Sequence, residues 1–231
     1  MGGAVERMPP AVQDRSVSEP CRLDLREHAC FPYPPVENQG SGVTCVAHSF
    51  ATALYCANHH PSSTAAVVGL QYSHFDAIFA EALRESPNKE RGVSFEAVAR
   101  GVERVYGADA RMRSHSFQTL PNNAASLRAV LTLGAPIITG YQVDGRIHEF
   151  HRDAKACEAL GFLLPRFDAS IGSISGHAVL ILGYDFRAQA FIARNSWGRA
   201  WGVDGHFLVP FAAVEDPEAF TDMWALLPRR Q

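Results

Sequence analysis

The chain has 231 residues, 47% of them hydrophobic, and a formal net charge of −3 at pH 7. This length suits a full hydrophobic core in one domain or two small lobes. Charges of both signs are mixed without a block of lysine or arginine, so neither a nucleic-acid partner nor a membrane surface is expected. No secretory signal or membrane-spanning run of roughly 20 apolar residues is visible, which favours a cytoplasmic or other intracellular (or virion-associated) protein.

The five cysteines do not form a disulfide framework. They stand at positions 21, 30, 45, 56 and 157, and no two of them have C-x-x-C spacing. An odd, sparse set fits a reducing compartment and leaves at least one thiol free for chemistry. A single disulfide between Cys21 and Cys30 remains an alternative.

The first half of the chain is predicted to be mostly helical. Residues 1–20 are rich in proline, serine and charge and predict a loose arm. Apolar residues then recur at helical spacing in four segments. These run from 45 to about 58, from Leu70 to Leu83, from the cap Ser94 to Val102, and from a cap at Asn122 or Asn123 to a stop at Gly134. A loop is predicted over Asn58–Ser63.

The second half is predicted to form antiparallel strands. Strand patterns cover 136–143, 178–182, 191–194, 206–209 and 223–227, and the apolar run 178–182 suits a strand buried on both faces. Helices followed by strands indicate an α+β fold of two lobes. We assign residues 21–134 to a mainly helical lobe and 135–231 to a mainly β lobe, within one domain spanning 21–231.

A long insertion, residues 144–172, separates the first two of these strands. It contains His148, His151 and Cys157, whose spacing is not a recognised metal-binding set. We therefore predict a surface helix or loop here, with no metal site.

Cys45 is the first candidate for chemistry. It stands at the start of a predicted helix, where free backbone N–H groups and the helix dipole favour an anion and lower the pKa of a thiol. Gln39 precedes it across a flexible Ser41-Gly42 turn, so its amide and a helix-start N–H can meet at one oxyanion site. A lone cysteine on an alanine-rich helix is more often a small buried hydrophobe. The hypothesis that Cys45 is a nucleophile therefore depends on finding a base elsewhere in the chain.

His177 and Asn195 are the candidates for that base and its orienting partner. His177 directly precedes the buried strand, and Asn195 ends the next strand of the same hairpin. Cross-strand neighbours lie close together, so the Asn195 amide oxygen is expected to accept a hydrogen bond from the His177 ring. Trp197 is expected to cover that contact and exclude water.

Three blocks of sequence together resemble the papain-like cysteine peptidases. They are Gln39-Gly40 before Cys45, then Gly176-His177-Ala178-Val179, then Asn195-Ser196-Trp197-Gly198 followed by Trp201-Gly202. The separations also agree, since 177 − 45 = 132 and 195 − 177 = 18. The resemblance extends from about Asp24 to about Leu227 and implies a two-lobed fold with the substrate in the cleft between a helical and a β lobe.

The resemblance assigns a role to each matching residue. It implies that Cys45 attacks the peptide carbonyl, that His177 forms the ion pair and protonates the leaving amine, and that Asn195 orients His177. Gln39 and the Cys45 N–H would hold the oxyanion. Substrate contacts are assigned to three glycines and to Trp197; the glycines are Gly92, Gly140 and Gly176. The implied partners are a peptide or protein substrate and a protein inhibitor, with a monomeric chain and no cofactor.

The chain also departs from the family pattern near the nucleophile. Val43 replaces a glycine, Val46 a tryptophan and His48 a phenylalanine, and no long inhibitory propeptide is expected. His48 is interpreted as a packed or solvated ring. Crowding by Val43 or by the insertion would instead give a catalytically silent papain-like binding domain, which is the alternative function. A transglutaminase-like acyl transferase shares Cys and His but completes its triad with Asp, so Asn195 argues against it.

Overall fold

Helix α1 (Cys45–His59) begins at the candidate nucleophile, and its first hydrogen bond joins the His48 N–H to the Thr44 carbonyl at 3.0 Å. The computed structural model describes residues 20–27, 33–59, 75–86, 92–107, 114–172 and 175–229. The loose arm predicted for 1–20 lies outside these residues except for its last position. So does the predicted start of the second helix at Leu70. Because α1 extends to His59, the loop predicted from Asn58 begins later than expected.

Two further helices pack beside α1. They are α2 (Phe75–Leu83) and α3 (Phe95–Tyr106). Ser94 caps α3 as predicted, because its hydroxyl accepts a hydrogen bond from the Ala97 N–H at 3.2 Å. Gly101 lies inside α3 where a Cβ would come within 2.8 Å of the Ile78 carbonyl oxygen, so a residue without a side chain lets α2 and α3 approach closely.

Helix α4 (Ala124–Thr132) follows a strand that the sequence did not reveal. Asn123 caps α4, and Gly134 has a φ of +80° after its end, as expected for a helix stop. Before α4, strand β2 (His115–Thr119) pairs with the last strand of the sheet. All five residues of β2 are half-buried. The segment therefore lacks the alternation of apolar and polar positions by which a strand is recognised in sequence.

The described strands form one antiparallel sheet. They are β1 (Arg22–Asp24), β2, β3 (Ile137–Val143), β4 (Ser175–Asp185), β5 (Ala190–Arg194), β6 (His206–Pro210) and β7 (Phe220–Pro228). Their order is β2-β7-β3-β4-β5-β6, and β1 adds to β4. This sheet with its helices confirms the predicted α+β class.

Strand β4 is buried on both faces, as its apolar run predicts. Val179 and Ile181 point into the core of the β side, whereas Leu180 and Leu182 point into a second core that contains Phe50 of α1. Alternate residues of one strand therefore belong to two cores. The sheet face that carries Leu180 supports α1, and this fixes the start of α1 relative to β4.

The insertion 144–172 is only partly a surface structure. It forms α5 (Gly145–Arg152), α6 (Ala154–Ala159) and a 3-10 turn (Ala169–Ile171), and a short α7 (Phe211–Val214) follows β6. His151 is 3% exposed and Cys157 is 0% exposed, so the predicted surface location is wrong for both. One side of α5 is apolar and packs into the β-side core, which the mixed local composition obscured.

Arg194 connects the end of β5 to the segment that precedes the active-site loop. Its buried guanidinium donates hydrogen bonds to the carbonyl oxygens of Pro34, at 2.6 Å, and Pro35, at 2.7 Å. Within the described ranges, no group of three His, Cys, Asp or Glu residues is arranged to hold a metal. In that same part of the chain, no helix has the length and apolar character needed to cross a membrane.

Candidate active site

Cys45 is partly buried at the N-terminus of α1, and its thiol has a lowered pKa. Burial alone would raise the pKa, because it disfavours the charged sulfur. A hydrogen bond from the His177 side chain and the charge of that ring more than offset burial, and the Ala178 and Val46 backbone N–H groups add to them. The groups around the sulfur therefore favour the thiolate, which is the nucleophilic form.

His177 lies within β4, which begins at Ser175 and so starts earlier than predicted, whereas Asn195 follows the end of β5 as predicted. The His177 Nε2 is 2.8 Å from the Asn195 Oδ1, and both residues are buried. An amide oxygen only accepts hydrogen bonds, so Nε2 carries the proton and Nδ1 is the nitrogen available to the sulfur. The Asn195 Oδ1 also accepts the Ser196 N–H at 2.8 Å, which fixes the amide.

Trp197 covers the contact between His177 and Asn195. The centroids of the Trp197 and His177 rings are 4.8 Å apart and the ring planes differ by 32°. This near-stacked position shields the hydrogen bond from water. It also places the face of the indole against the His177 imidazole.

Gln39 is attached to the same segment by both its backbone and its side chain. Its N–H donates to the Ser196 carbonyl at 2.8 Å, and its Oε1 accepts a hydrogen bond from the Ser196 hydroxyl. The Nε2 donates to the Gly42 carbonyl at 2.6 Å. A primary amide has two N–H hydrogens, so one of them stays available for a ligand.

The three predicted substrate-contacting glycines have different surroundings. Gly92 has a φ of +89°, and a Cβ there would lie 3.2 Å from the Val43 carbonyl oxygen, close to the nucleophile. Gly140 is buried, and a Cβ there would lie 3.3 Å from the Phe95 ring. Gly176 is exposed, and apart from its own residue and its two chain neighbours no described atom lies within 4 Å of its Cβ position. Contact between these glycines and a substrate stays a prediction.

His48 is a packed residue rather than a second base for the thiol. Its ring stacks on Phe75 with centroids 4.1 Å apart, and its Nδ1 lies 3.0 Å from the Glu37 Oε2. Burial lowers the pKa of His48 to about 4, so this imidazole is neutral near pH 7. Burial also raises the pKa of Glu37. The interpretation of His48 as a packed ring is confirmed.

The comparisons with known proteins agree with this geometry. A sequence model of the family described as papain family cysteine protease (Peptidase_C1) matches residues 105–214, a range that includes His177 and Asn195. The crystal structure of xylellain, a cysteine protease from Xylella fastidiosa, is similar with a TM-score of 0.70 at 20% identity. That similarity covers 92% of this chain and 88% of xylellain. The chain has a papain-like fold.

Two other proteins extend the papain-like similarity. The cysteine protease CMS1MS2 from Carica candamarcensis, solved in complex with E-64, has a TM-score of 0.58 at 18% identity, covering 91% of this chain and 99% of that one. An uncharacterized peptidase C1-like protein (L477) of Acanthamoeba polyphaga mimivirus is 28% identical over 108 residues. That stretch is 47% of this chain and only 33% of the viral protein. The predicted two-lobed papain-like fold is confirmed.

Sequence reasoning missed two residues beside the papain-like site. Tyr141 on β3 stands directly opposite His177 in the strand register, and Ser196 holds Gln39. The sequence identifies β3 and β4 as strands, but it does not give their register. His151 was also predicted at the surface, although it packs against Trp197 with ring centroids 4.7 Å apart.

Proposed function

We propose that this papain-like chain is a cysteine peptidase that hydrolyses peptide bonds through Cys45 and His177. The observation that carries the proposal is the placement of the Cys45 thiol, at the first residue of α1, within hydrogen-bonding reach of the His177 side chain. The hydrogen-bond partner of this thiol, His177, is itself held by Asn195. A thiolate–imidazolium pair supplies both the nucleophile and the acid, so the reaction needs no cofactor.

Hydrolysis proceeds through an acyl-enzyme. The Cys45 sulfur attacks the carbonyl carbon of the substrate, and the carbonyl oxygen becomes an oxyanion held by the Gln39 amide and the Cys45 N–H. His177 gives its Nδ1 proton to the leaving amine as the C–N bond breaks. His177 then takes a proton from water, and the resulting hydroxide attacks the thioester carbonyl. Breakage of the C–S bond releases the acid and restores the ion pair.

We place the substrate in the cleft between the helical side and the sheet side of the site. Cys45 comes from α1, whereas His177 and Asn195 come from β4 and the end of β5, so a peptide between them meets every reacting group. All three residues belong to one chain, so a monomer carries the complete site. The E-64 complex of the plant protease supports an inhibitor or substrate site in this cleft.

A thiol-directed epoxide probe tests the proposal. The protein is incubated with the probe under reducing conditions, and adducts are located by peptide mass spectrometry. We expect rapid labelling of Cys45 and none of Cys56, because burial raises the pKa of the Cys56 thiol to about 12. Labelling of Cys45 is expected to disappear in His177→Ala.

Failure to label Cys45 in a folded protein would contradict the peptidase proposal. It would favour the silent binding domain, for which the replacement of a family glycine by Val43 is the sequence argument. Val43 is 39% exposed beside the nucleophile, so a Val43→Gly variant separates the two cases. Labelling gained only in that variant would identify crowding by Val43 as the cause.

A further inference from the structure

His151 is a buried histidine that the proposed reaction does not use. It lies on α5 within the insertion, and its ring packs among the aromatic side chains beside the site. The ring centroid is 4.7 Å from that of Trp197, 5.3 Å from that of Trp201 and 5.8 Å from that of His177. The Trp201 Nε1–H donates to the His151 backbone carbonyl at 2.9 Å, so α5 is attached to the segment that follows Asn195.

Tyr141 joins this histidine to the catalytic strand pair. Tyr141 on β3 is paired with His177 on β4, and its ring meets the His177 ring at 78° with centroids 5.8 Å apart. The Tyr141 hydroxyl is hydrogen-bonded to the His151 Nε2. Both residues are nearly fully buried, with 1% and 3% exposure, so water does not compete for this hydrogen bond.

Tyr141 and His151 are both neutral, whereas the proposed Cys45–His177 ion pair is charged. Burial lowers the pKa of His151 well below its usual value, and the charge of His177 and then that of His148 lower it further. Burial raises the pKa of Tyr141 well above its usual value, and the charge of Cys45 adds to this effect. The pair therefore exchanges no proton near neutral pH, which leaves an orienting role.

We propose that the hydrogen-bonded Tyr141–His151 pair is a positioning unit that holds the His177 ring in line with the Cys45 sulfur. The proposal rests on the peptidase function above. Asn195 fixes one nitrogen of His177, and Trp197 covers one side of the ring. Tyr141 supports the ring edge-on, and its own ring is held in place by the bond to His151. The insertion thus contributes directly to the geometry of the ion pair.

The test compares variants that remove the hydrogen bond with one that keeps it. Tyr141→Phe removes only the hydroxyl, His151→Phe removes the ring nitrogen bonded to that hydroxyl, and His151→Gln keeps a hydrogen-bonding amide near the position of Nε2. For each protein, kcat and KM are measured on a fluorogenic peptide. The rate at which iodoacetamide alkylates Cys45 is followed against pH by mass spectrometry. Alkylation reports the thiolate–imidazolium pair without requiring peptide hydrolysis.

We expect Tyr141→Phe and His151→Phe each to lower kcat by about 10-fold to 100-fold with KM nearly unchanged, because a slightly misplaced base slows the reaction. The inflection of the Cys45 alkylation profile is expected to move up by about one pH unit, because a displaced imidazolium stabilises the thiolate less. The double variant should be no worse than either single variant, since the two residues act as a unit. His151→Gln should recover part of the loss.

Tyr184→Phe is the matched control. It removes the hydroxyl of another fully buried tyrosine, on β4 but outside the site, and should leave the kinetics and the alkylation profile unchanged. If Tyr141→Phe and His151→Phe keep the wild-type profile and kcat, the positioning role is overturned. Additive losses in the double variant would also overturn it. A wild-type protein whose Cys45 reacts only as an ordinary thiol would instead overturn the peptidase proposal, and this inference with it.

Discussion

Helix α1 carries two cysteines whose pKa values are shifted in opposite directions. Cys45 at the first residue has a lowered pKa, whereas burial raises the pKa of Cys56, eleven residues later, to about 12. Both thiols are subject to desolvation, which favours the neutral form. Cys56 has the Tyr33 hydroxyl as a hydrogen-bond partner, and this only partly offsets burial.

The difference between the two thiols shows what activates Cys45. Membership of the helix does not by itself activate a thiol, because α1 carries one cysteine with a lowered pKa and one with a raised pKa. At Cys45 the sheet adds the His177 side chain and the Ala178 N–H, and the helix start adds the Val46 N–H. The reactive state of the thiol thus arises where the helix start meets the β4 strand.

The largest expected effect separates the two thiols by function. Cys45→Ser should lower kcat/KM by about 10⁴-fold or more, because the nucleophile is lost. Cys56→Ala should leave kcat/KM within about twofold and cost about 1 kcal/mol of stability, as expected for a small buried side chain. Kinetics on a fluorogenic peptide and urea unfolding measure both. Equal activity losses in the two variants would contradict the functional difference between Cys45 and Cys56.

Removal of His177 should make Cys45 behave more like an ordinary thiol. In His177→Ala the hydrogen bond and the charge that lower the pKa of Cys45 are absent, so this pKa should rise. Alkylation of Cys45 by iodoacetamide at pH 6 is expected to fall about 100-fold, because the thiolate fraction falls. The His48→Phe variant controls for the loss of a buried histidine on the helix side. An unchanged rate in His177→Ala would mean that α1 alone activates the thiol.

A variant of Gln39 is expected to change turnover without changing the reactivity of the Cys45 thiol. Gln39→Ala should lower kcat by about 100-fold, as the loss of one oxyanion donor does. It should leave the alkylation of Cys45 unchanged, because alkylation forms no oxyanion. Ser196→Ala, which removes the hydroxyl that holds the Gln39 side chain, is expected to have a smaller effect of the same kind. Loss of alkylation in Gln39→Ala would show that Gln39 acts on the thiol instead.

The smallest effect concerns His48, which lies on α1 between the two cysteines. Its pKa is about 4 in the folded protein, below the ordinary value of 6.5, so the unfolded chain binds a proton first as the pH falls. Its contribution to stability is therefore present above pH 6.5 and is lost as the pH falls towards 4, at a cost of at most about 3 kcal/mol. Urea unfolding at several pH values should give a shallower acid slope in His48→Phe.

His148→Gln, which changes a partly buried histidine on α5, is the control for the His48 experiment. The comparison uses the difference between each variant and the wild type, because burial also lowers the pKa of His206 to about 4 and that residue contributes an acid slope of the same sign. Parallel pH profiles for wild type and His48→Phe would show that the ring is protonated as easily in the folded protein as in the unfolded one.

The sequence was sufficient for the fold class and for the association of Cys45, His177 and Asn195, because short motifs and a hairpin bring them together. It located Ser94 and Gly134 at helix ends because capping chemistry is local. It did not reveal β2, whose uniform half-burial gives no alternation. It also misplaced His151, because the partners of this ring come from β3 and from the segment after β5. Strand register and contacts between distant segments require the folded chain.

The bond from Arg194 to the Pro34 carbonyl, which spans 160 positions in sequence, has a consequence for the order of synthesis. A growing chain emerges from the ribosome with its thiol long before the base, the orienting amide and this arginine exist. Until they are made, the segment before Cys45 lacks its hydrogen bonds to Arg194, and Cys45 lacks the His177 side chain that lowers its pKa. The proposed ion pair between Cys45 and His177 can therefore form only after the β4–β5 hairpin has been synthesised.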